Sequence, residues 1–291
     1  MTLQTQMQRA QPTRSLEPII TAHLFPALEA ELLKLLASLS PYDWERQTAA
    51  PKWKVKDVAS HLLDTQLRKL SLCRDGYAPE TAAIASQTDL VSLINDLNER
   101  GVSLYRRLSP RVLISLMEVA SRESASYHLS LNPMDKSMFS VSWAGETESA
   151  NWFDTAREFT ERWHHQQQIR LATGNDKPGI MRRDFYHPVL DCFMRALPFH
   201  YRSITRPKGT HSHFHIAGDC GGSWYLLRDD DAWRLVPDAA EKDVSRTVIP
   251  QEFAWRIFTK AIRGDDARAR VEIEGDAELG GHILNMIAIV G

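Results

Sequence analysis

Apolar residues recur at three- and four-residue steps through the first two thirds of the chain and at two-residue steps after about position 200. Leu16, Ile19, Ile20, His23, Leu24, Ala27 and Leu28, then Leu32, Leu35, Leu36 and Leu39, predict one long amphipathic helix. Ser40-Pro41-Tyr42-Asp43 and Ala50-Pro51 punctuate a connector. A second helix runs from about Val55 to Cys73 on Val58, Leu62, Leu63, Leu67 and Leu70. A third spans Thr88 to Leu108 on Leu90, Leu93, Ile94, Leu97 and Leu104. Pro110 breaks it, and a shorter helix continues from Val112 to Leu129. Met138 to Trp143 alternates briefly, as a strand or an extended connector. Asn151 to Ala172 is the next strong helix, closed by Thr173-Gly174 as a C-terminal cap. A loop follows at Asp176 to Gly179, then one more helix from Asp184 to Tyr201.

Beyond that point the texture is β-rich. His213-Phe214-His215-Ile216, Ser223 to Leu227, Trp233 to Val236 and Val244 to Ile249 are short runs separated by Gly/Asp turns. A helix from Pro250 to Ile262 has proline at its first position. A strand at Arg270 to Glu274 and a final helix from about Ala277 to Ile289 complete the chain. The predicted fold is mainly α: a helical domain over 15–180, then 181–291 with the bridging helix and a smaller α+β domain. Residues 1–14 are polar and Gln-rich, which reads as a disordered arm and not as a signal peptide or anchor. No internal repeat is visible.

Composition narrows the class. The chain has 291 residues, 43% hydrophobic and 25% charged, ordinary values for a soluble globular protein. Lys and Arg number 35 against 37 Asp and Glu, so no basic footprint for nucleic acid or an anionic membrane exists. No stretch approaches the roughly 18 apolar residues a bilayer span needs. Cys73, Cys192 and Cys220 are scattered, odd in number and form no zinc-type pair, which fits a reducing cytoplasm and small buried hydrophobes. Glycine-rich phosphate loops, a nucleophile elbow and the His-Glu-x-x-His pattern are all missing. Arg228-Asp229-Asp230-Asp231 reads as a turn, and the glycine cluster at Gly218 to Gly222 as a tight turn between strands.

Candidate chemistry therefore rests on histidines. Glu161 and His165 are four apart, so a helix projects them from one face, one turn apart. His164, at three apart, competes with His165 for the same role. His61 lies beside the apolar stripe of the second helix, with Asp57, Asp64, Thr65 and Arg68 on the same face. Each of these has a plain alternative: a hydrogen-bonded structural histidine for His61, and a solvated i,i+4 pair for Glu161 and His165. His211, His213 and His215 share one side of a strand and form a rival metal site, or an exposed His-rich face.

These segments resemble a known family. Trp53-x-x-x-Asp57-Val58-x-x-His61-Leu62 is similar to the second-helix signature of the mycothiol-dependent maleylpyruvate isomerase N-terminal domain. That domain belongs to the DinB/YfiT-like superfamily of metal-binding four-helix bundles. Glu161-x-x-x-His165, with Gly174 nine residues later, resembles the family's last-helix signature. The resemblance implies a DinB-like four-helix bundle with metal ligands His61, Glu161 and His165, and a sterol-carrier-like second domain. It also implies a divalent metal, zinc first, with nickel, iron or manganese as alternatives. A low-molecular-weight thiol such as mycothiol would be activated on that metal, for isomerase or S-transferase chemistry on a small, acidic substrate. Arg68 is the candidate cation for the acid. Gln168 stands where family members often carry Asp, which favours a second reading: a non-catalytic metal- or ligand-binding module. Oligomeric state is left open.

Overall fold

The computed structural model describes residues 16–78, 86–176, 179–238 and 243–289; the arm expected over 1–14 lies outside them. A 3-10 turn at Ala22–Leu24 leads into α1 (Phe25–Ser38), so the first helix starts later than its apolar pattern suggests. The reason is Pro26. Inside a helix its ring would clash with the Ala22 carbonyl, whereas the first helical turn accommodates it. Ser40 and Asp43 then form a reciprocal capping box for the short α2 (Pro41–Trp44), which the sequence pattern left as connector.

Helix α3 (Val55–Lys69) begins with the Asp57 carboxylate accepting the Lys54 N–H at 3.0 Å, and it finishes in a π-helical turn, Leu70–Arg74. Helices α4 (Gln87–Tyr105) and α5 (Pro110–Ser130) follow; Pro110 opens α5 instead of ending α4, since the first turn needs no proline N–H. Gly101 lets α4 approach α3 closely, because a Cβ there would collide with the Asp64 carboxylate. Residues 138–143 pair with no strand. A 3-10 turn at Ser142–Ala144 and a single bridge between Lys136 and Ala150 occupy that stretch. Helix α6 (Asn151–Thr173) ends on Gly174 with a left-handed φ of 71°, as the sequence predicts. Helix α1 packs on α5 and α6, and α3 packs on α4, α5 and α6.

The expected helix over 184–201 is two, α7 (Arg183–Met194) and α8 (Leu197–His200), because Pro198 cannot donate to the Met194 carbonyl. Strands β1 (His211–Ala217), β2 (Gly222–Arg228), β3 (Trp233–Val236) and β4 (Ser245–Pro250) precede α9 (Gln251–Phe258) and α10 (Gly264–Arg268). Pro250 thus ends a strand and caps α9, where the sequence placed it inside the helix. Strand β5 (Glu272–Gly275), α11 (Ala277–Gly281) and a 3-10 turn at His282–Asn285 follow. Gly280-Gly281 weakens the final helix, which stops well short of Ile289. The sheet order is β3-β2-β1-β4-β5, with β1 and β4 parallel and every other pair antiparallel.

Two apolar cores result. The smaller joins α1, α2, α3 and α5 through Leu32, Leu36, Trp44, Val58, Leu62 and Met117. The larger runs from Phe25, Phe159 and Trp163 through α7 to the inner face of the sheet at Phe214, Ile216 and Ile249. Trp163 is its hinge pin. Its indole stacks on Tyr186 at 4.4 Å, meets Trp255 edge-on at 6.0 Å, and donates its N–H to the Ile180 carbonyl. Among the described residues no helix is long and apolar enough to cross a membrane.

Candidate metal centre

Helix α6 is buried along nearly its whole length, so the polar crowding between Glu158 and Arg170 is not a solvated face. Toward its N-terminal half, its charged side chains are matched inside the protein. Arg162 Nη1 donates to Glu29 Oε1 at 2.7 Å and Nη2 to Ser124 Oγ at 2.6 Å. Lys69 Nζ donates to Asp154 Oδ2 at 2.7 Å and lies 3.6 Å from Glu158 Oε2. Arg157 Nη2 reaches Asp154 Oδ1 at 2.6 Å. Burial alone would raise both carboxyls, but Lys69 and the arginines hold Asp154 and Glu158 well below the usual carboxylate range. Sequence reading missed this layer. The signal was present in the Glu158/Arg162 spacing, but spacing does not say which face is covered.

One turn further along α6, the matching stops. Glu161 has only two imidazoles at ion-pair range among the described residues: His165 Nε2 at 3.6 Å and His164 Nδ1 at 3.7 Å, both from Oε2. The nearby Arg157 is engaged by Asp154 and Glu158. Burial lifts the Glu161 carboxyl to about 7, with Arg157 opposing and Glu158 adding. His165 is pushed down to about 4 by burial, against the Gln168 hydrogen bond and the Glu158 charge. His61 falls well below the ordinary histidine range through burial, then the influence of His165 and Arg68. Neutral imidazoles beside a carboxylate are the donor set a borderline metal selects.

His61 comes from the middle of α3, and its ring meets the His165 ring edge-on at 4.6 Å between centroids. The Trp53 indole lies 4.7 Å from His61 and 6.0 Å from His165, walling both imidazoles from one side. The two segments singled out in the sequence are therefore adjacent in space. Ligand-type atoms of Glu161, His164 and His165 all lie within 4.8 Å of one another, the only such trio of His, Cys, Asp or Glu among the described residues. His61 stands against this trio through its contact with His165.

The residues fit a cation on two observations. His61 Nδ1 is buried with no hydrogen-bond partner. His165 Nδ1 donates to Gln168 Oε1 at 2.9 Å, which leaves Nε2 as a bare lone pair facing the Glu161 carboxylate. Two electron-pair donors facing each other repel unless a proton or a cation lies between them. Gln168 thus supplies the oxygen acceptor that a metal-bound histidine ordinarily has on its far nitrogen.

Arg68 sits two turns after His61. Its Nε donates to Asp64 at 2.6 Å and its Nη2 to Asn98 Oδ1 at 2.7 Å. The strand histidines lie elsewhere, on the sheet face opposite Phe214 and Ile216. His213 Nε2 and His215 Nδ1 both contact the Ser223 hydroxyl, at 3.0 and 3.1 Å, and His213 faces Asp243 at 3.6 Å. The three cysteines are free thiols; burial raises all three, Cys192 to about 12, so none is poised as a thiolate. A pocket of about 390 Å³ lined by Trp152, Arg195 and Arg234 shares no residue with the histidine cluster.

The helices and this cluster describe a helical protein with a constellation of one partly buried glutamate and two buried histidines beside a third histidine. The chain belongs to the family of the mycothiol maleylpyruvate isomerase N-terminal domain, whose model matches residues 25–170, a span that contains His61, Glu161 and His165. It is similar to the crystal structure of the mycothiol-dependent maleylpyruvate isomerase, with TM-score 0.51 and 11% identity over 84% of this chain and 89% of that one. A structure of a mutant of that isomerase aligns with TM-score 0.49 and 10% identity over the same shares. At such identity the likeness concerns the fold. No curated protein matches the chain.

Proposed function

We propose that this protein is a divalent-metal enzyme that uses a low-molecular-weight thiol for isomerase or S-transferase chemistry on a small acid. His61, Glu161 and His165 would hold the metal, zinc before nickel, iron or manganese, on a DinB-like four-helix bundle of α1, α3, α5 and α6. The observation that carries the reading is Glu161, a carboxylate faced by two neutral imidazoles where every neighbouring carboxylate has a cation. When bound, such a metal would lower the pKa of a thiol and so supply a thiolate at neutral pH. Family membership supports the thiol, and the name of the structural relative supports mycothiol and a maleylpyruvate-like acid.

The chain's own groups would divide the remaining work. Gln168 keeps the His165 ring oriented, with its bare nitrogen inward. Trp53 excludes water from one side of the imidazoles. Arg68 has Nε and Nη2 engaged, so binding an acid would fall to Nη1. The segment 181–291 would act as a second, α+β domain that shares the larger core with the bundle.

Elemental analysis of purified protein tests the metal, with near one ion per chain expected and its loss in His61→Ala. Unchanged metal content in both His61→Ala and His165→Ala would overturn the assignment. A thiol titration of metal-loaded protein separates the enzyme from a non-catalytic module. Saturable binding that disappears on chelation supports the enzyme, and no binding by any thiol supports the module.

A further inference from the structure

We infer that His164 is a direct metal ligand beside Glu161, His165 and His61, so that the chain offers four protein ligands to one ion and not three. The inference rests on the metal reading above. The family register names His165 and leaves His164 as a neighbour, but the geometry treats the two imidazoles almost alike.

Helix α6 places i+3 and i+4 on either side of Glu161, and both rings approach the same carboxylate oxygen, at 3.7 and 3.6 Å. The ring centroids are 3.9 Å apart. His164 is 1% exposed, and its Nδ1 is buried with no hydrogen-bond partner. The Thr160 and Glu161 backbone carbonyls lie near enough to bear on the ring, but neither makes a well-formed hydrogen bond to Nδ1, which leaves that nitrogen facing the Glu161 carboxylate. Zinc–nitrogen bonds of about 2.0–2.1 Å would draw the trio inward by about 1 Å from the present 4.8 Å limit, within reach of side-chain torsions.

The consequence concerns access. A tetrahedral ion with three protein ligands keeps one position for an incoming group, whereas four protein ligands close it. The resting protein would then hold its ion more tightly than a three-ligand site, and a thiol could enter only by five-coordination or by displacing an imidazole.

The test uses wild-type protein labelled with 15N-histidine, titrated with Zn2+ and followed by long-range 1H–15N NMR of the imidazole nitrogens. Three imidazoles, those of His61, His164 and His165, should move together and saturate at one equivalent. In parallel, His164→Asn should lower Zn2+ affinity by at least about 100-fold in competition with a chromophoric chelator, beyond what loss of an outer partner costs. If wild type binds one Zn2+ while the His164 nitrogens stay put and His164→Asn binds equally well, His164 is no ligand and the three-ligand reading stands. If wild type binds no Zn2+, the metal reading fails with it. The wild-type spectrum decides the matter even if His164→Asn does not fold.

Discussion

Replacing Glu161 by Gln should stabilise the metal-free protein at neutral pH and do little under acid conditions. The folded carboxyl titrates at about 7 against 4.5 for an unperturbed glutamate. A raised acid contributes stability that is complete below the unfolded value and is lost as pH rises through the folded one. That difference corresponds to about 3 kcal/mol, the penalty for ionising a partly buried carboxylate with no cation of its own. Glutamine keeps the shape and removes the ionisation, so at about pH 8 the variant should melt about 6 °C higher in chelator, given roughly 2 °C per kcal/mol for a chain this long. Wild type alone does not show the effect cleanly. His165, held at about 4 against 6.5, contributes in the opposite direction, with stability lost as pH falls through that window. Only the difference between variant and wild type isolates Glu161. Thermal or urea unfolding at about pH 4.5, 6 and 8 measures it, and a difference that is the same at all three would refute the reasoning. Saturating Zn2+ should reverse the order, since only wild type keeps the carboxylate that would bind the ion; at about 100 times Kd, binding adds about 2.7 kcal/mol.

The other expectations are briefer. Glu29→Ala leaves the buried Arg162 guanidinium with Glu158 at 3.6 Å as its remaining carboxylate and should cost about 1.5–3 kcal/mol, undiminished by salt; a loss under about 1 kcal/mol would count against a buried pair. Gln168→Leu should weaken metal binding by about 10–100-fold while Gln168→Asp retains it, because only the latter keeps an acceptor for His165 Nδ1; equal affinities would remove Gln168 from the site. Trp163→Ala empties the stacking partner of Tyr186 and leaves the Ile180 carbonyl unpaired, so a loss of about 3–5 kcal/mol on urea unfolding is expected. Stability unchanged within about 1 kcal/mol would show that the larger core does not depend on it.

Periodicity located α3, α6 and the strands β1 to β4 well, because each carries a stripe or an alternation that only one secondary structure can bury. It erred where proline or paired glycines set local limits. Pro26 and Pro198 moved helix boundaries, Pro110 opened a helix, Pro250 closed a strand, and Gly280-Gly281 cut the last helix short. The alternation at 138–143 had no partner strand, and an unpaired strand has nothing to satisfy its backbone. The polar stretch of α6 allowed both a solvated and a buried reading from sequence; Asp154, Glu158 and Arg162 are in fact paired with charges on α1 and α3, with the Ser124 hydroxyl of α5 accepting from Arg162, while Glu161 is not.

By itself the sequence determined which residues could act as ligands and that Glu161 and His165 share a helical face, since helix spacing is a local property. The family signature further linked His61 to them across about a hundred residues. Tertiary packing alone decided that the His61 and His165 rings touch, that His164 is as close to Glu161 as His165 is, and that Gln168 Oε1 accepts the hydrogen bond from His165 Nδ1–H. It also decided that Glu161 stands without a cation while its neighbours are paired. Those outcomes depend on which faces α1, α3, α5 and α6 turn toward one another, and a one-dimensional pattern carries the faces of each helix but not their meeting.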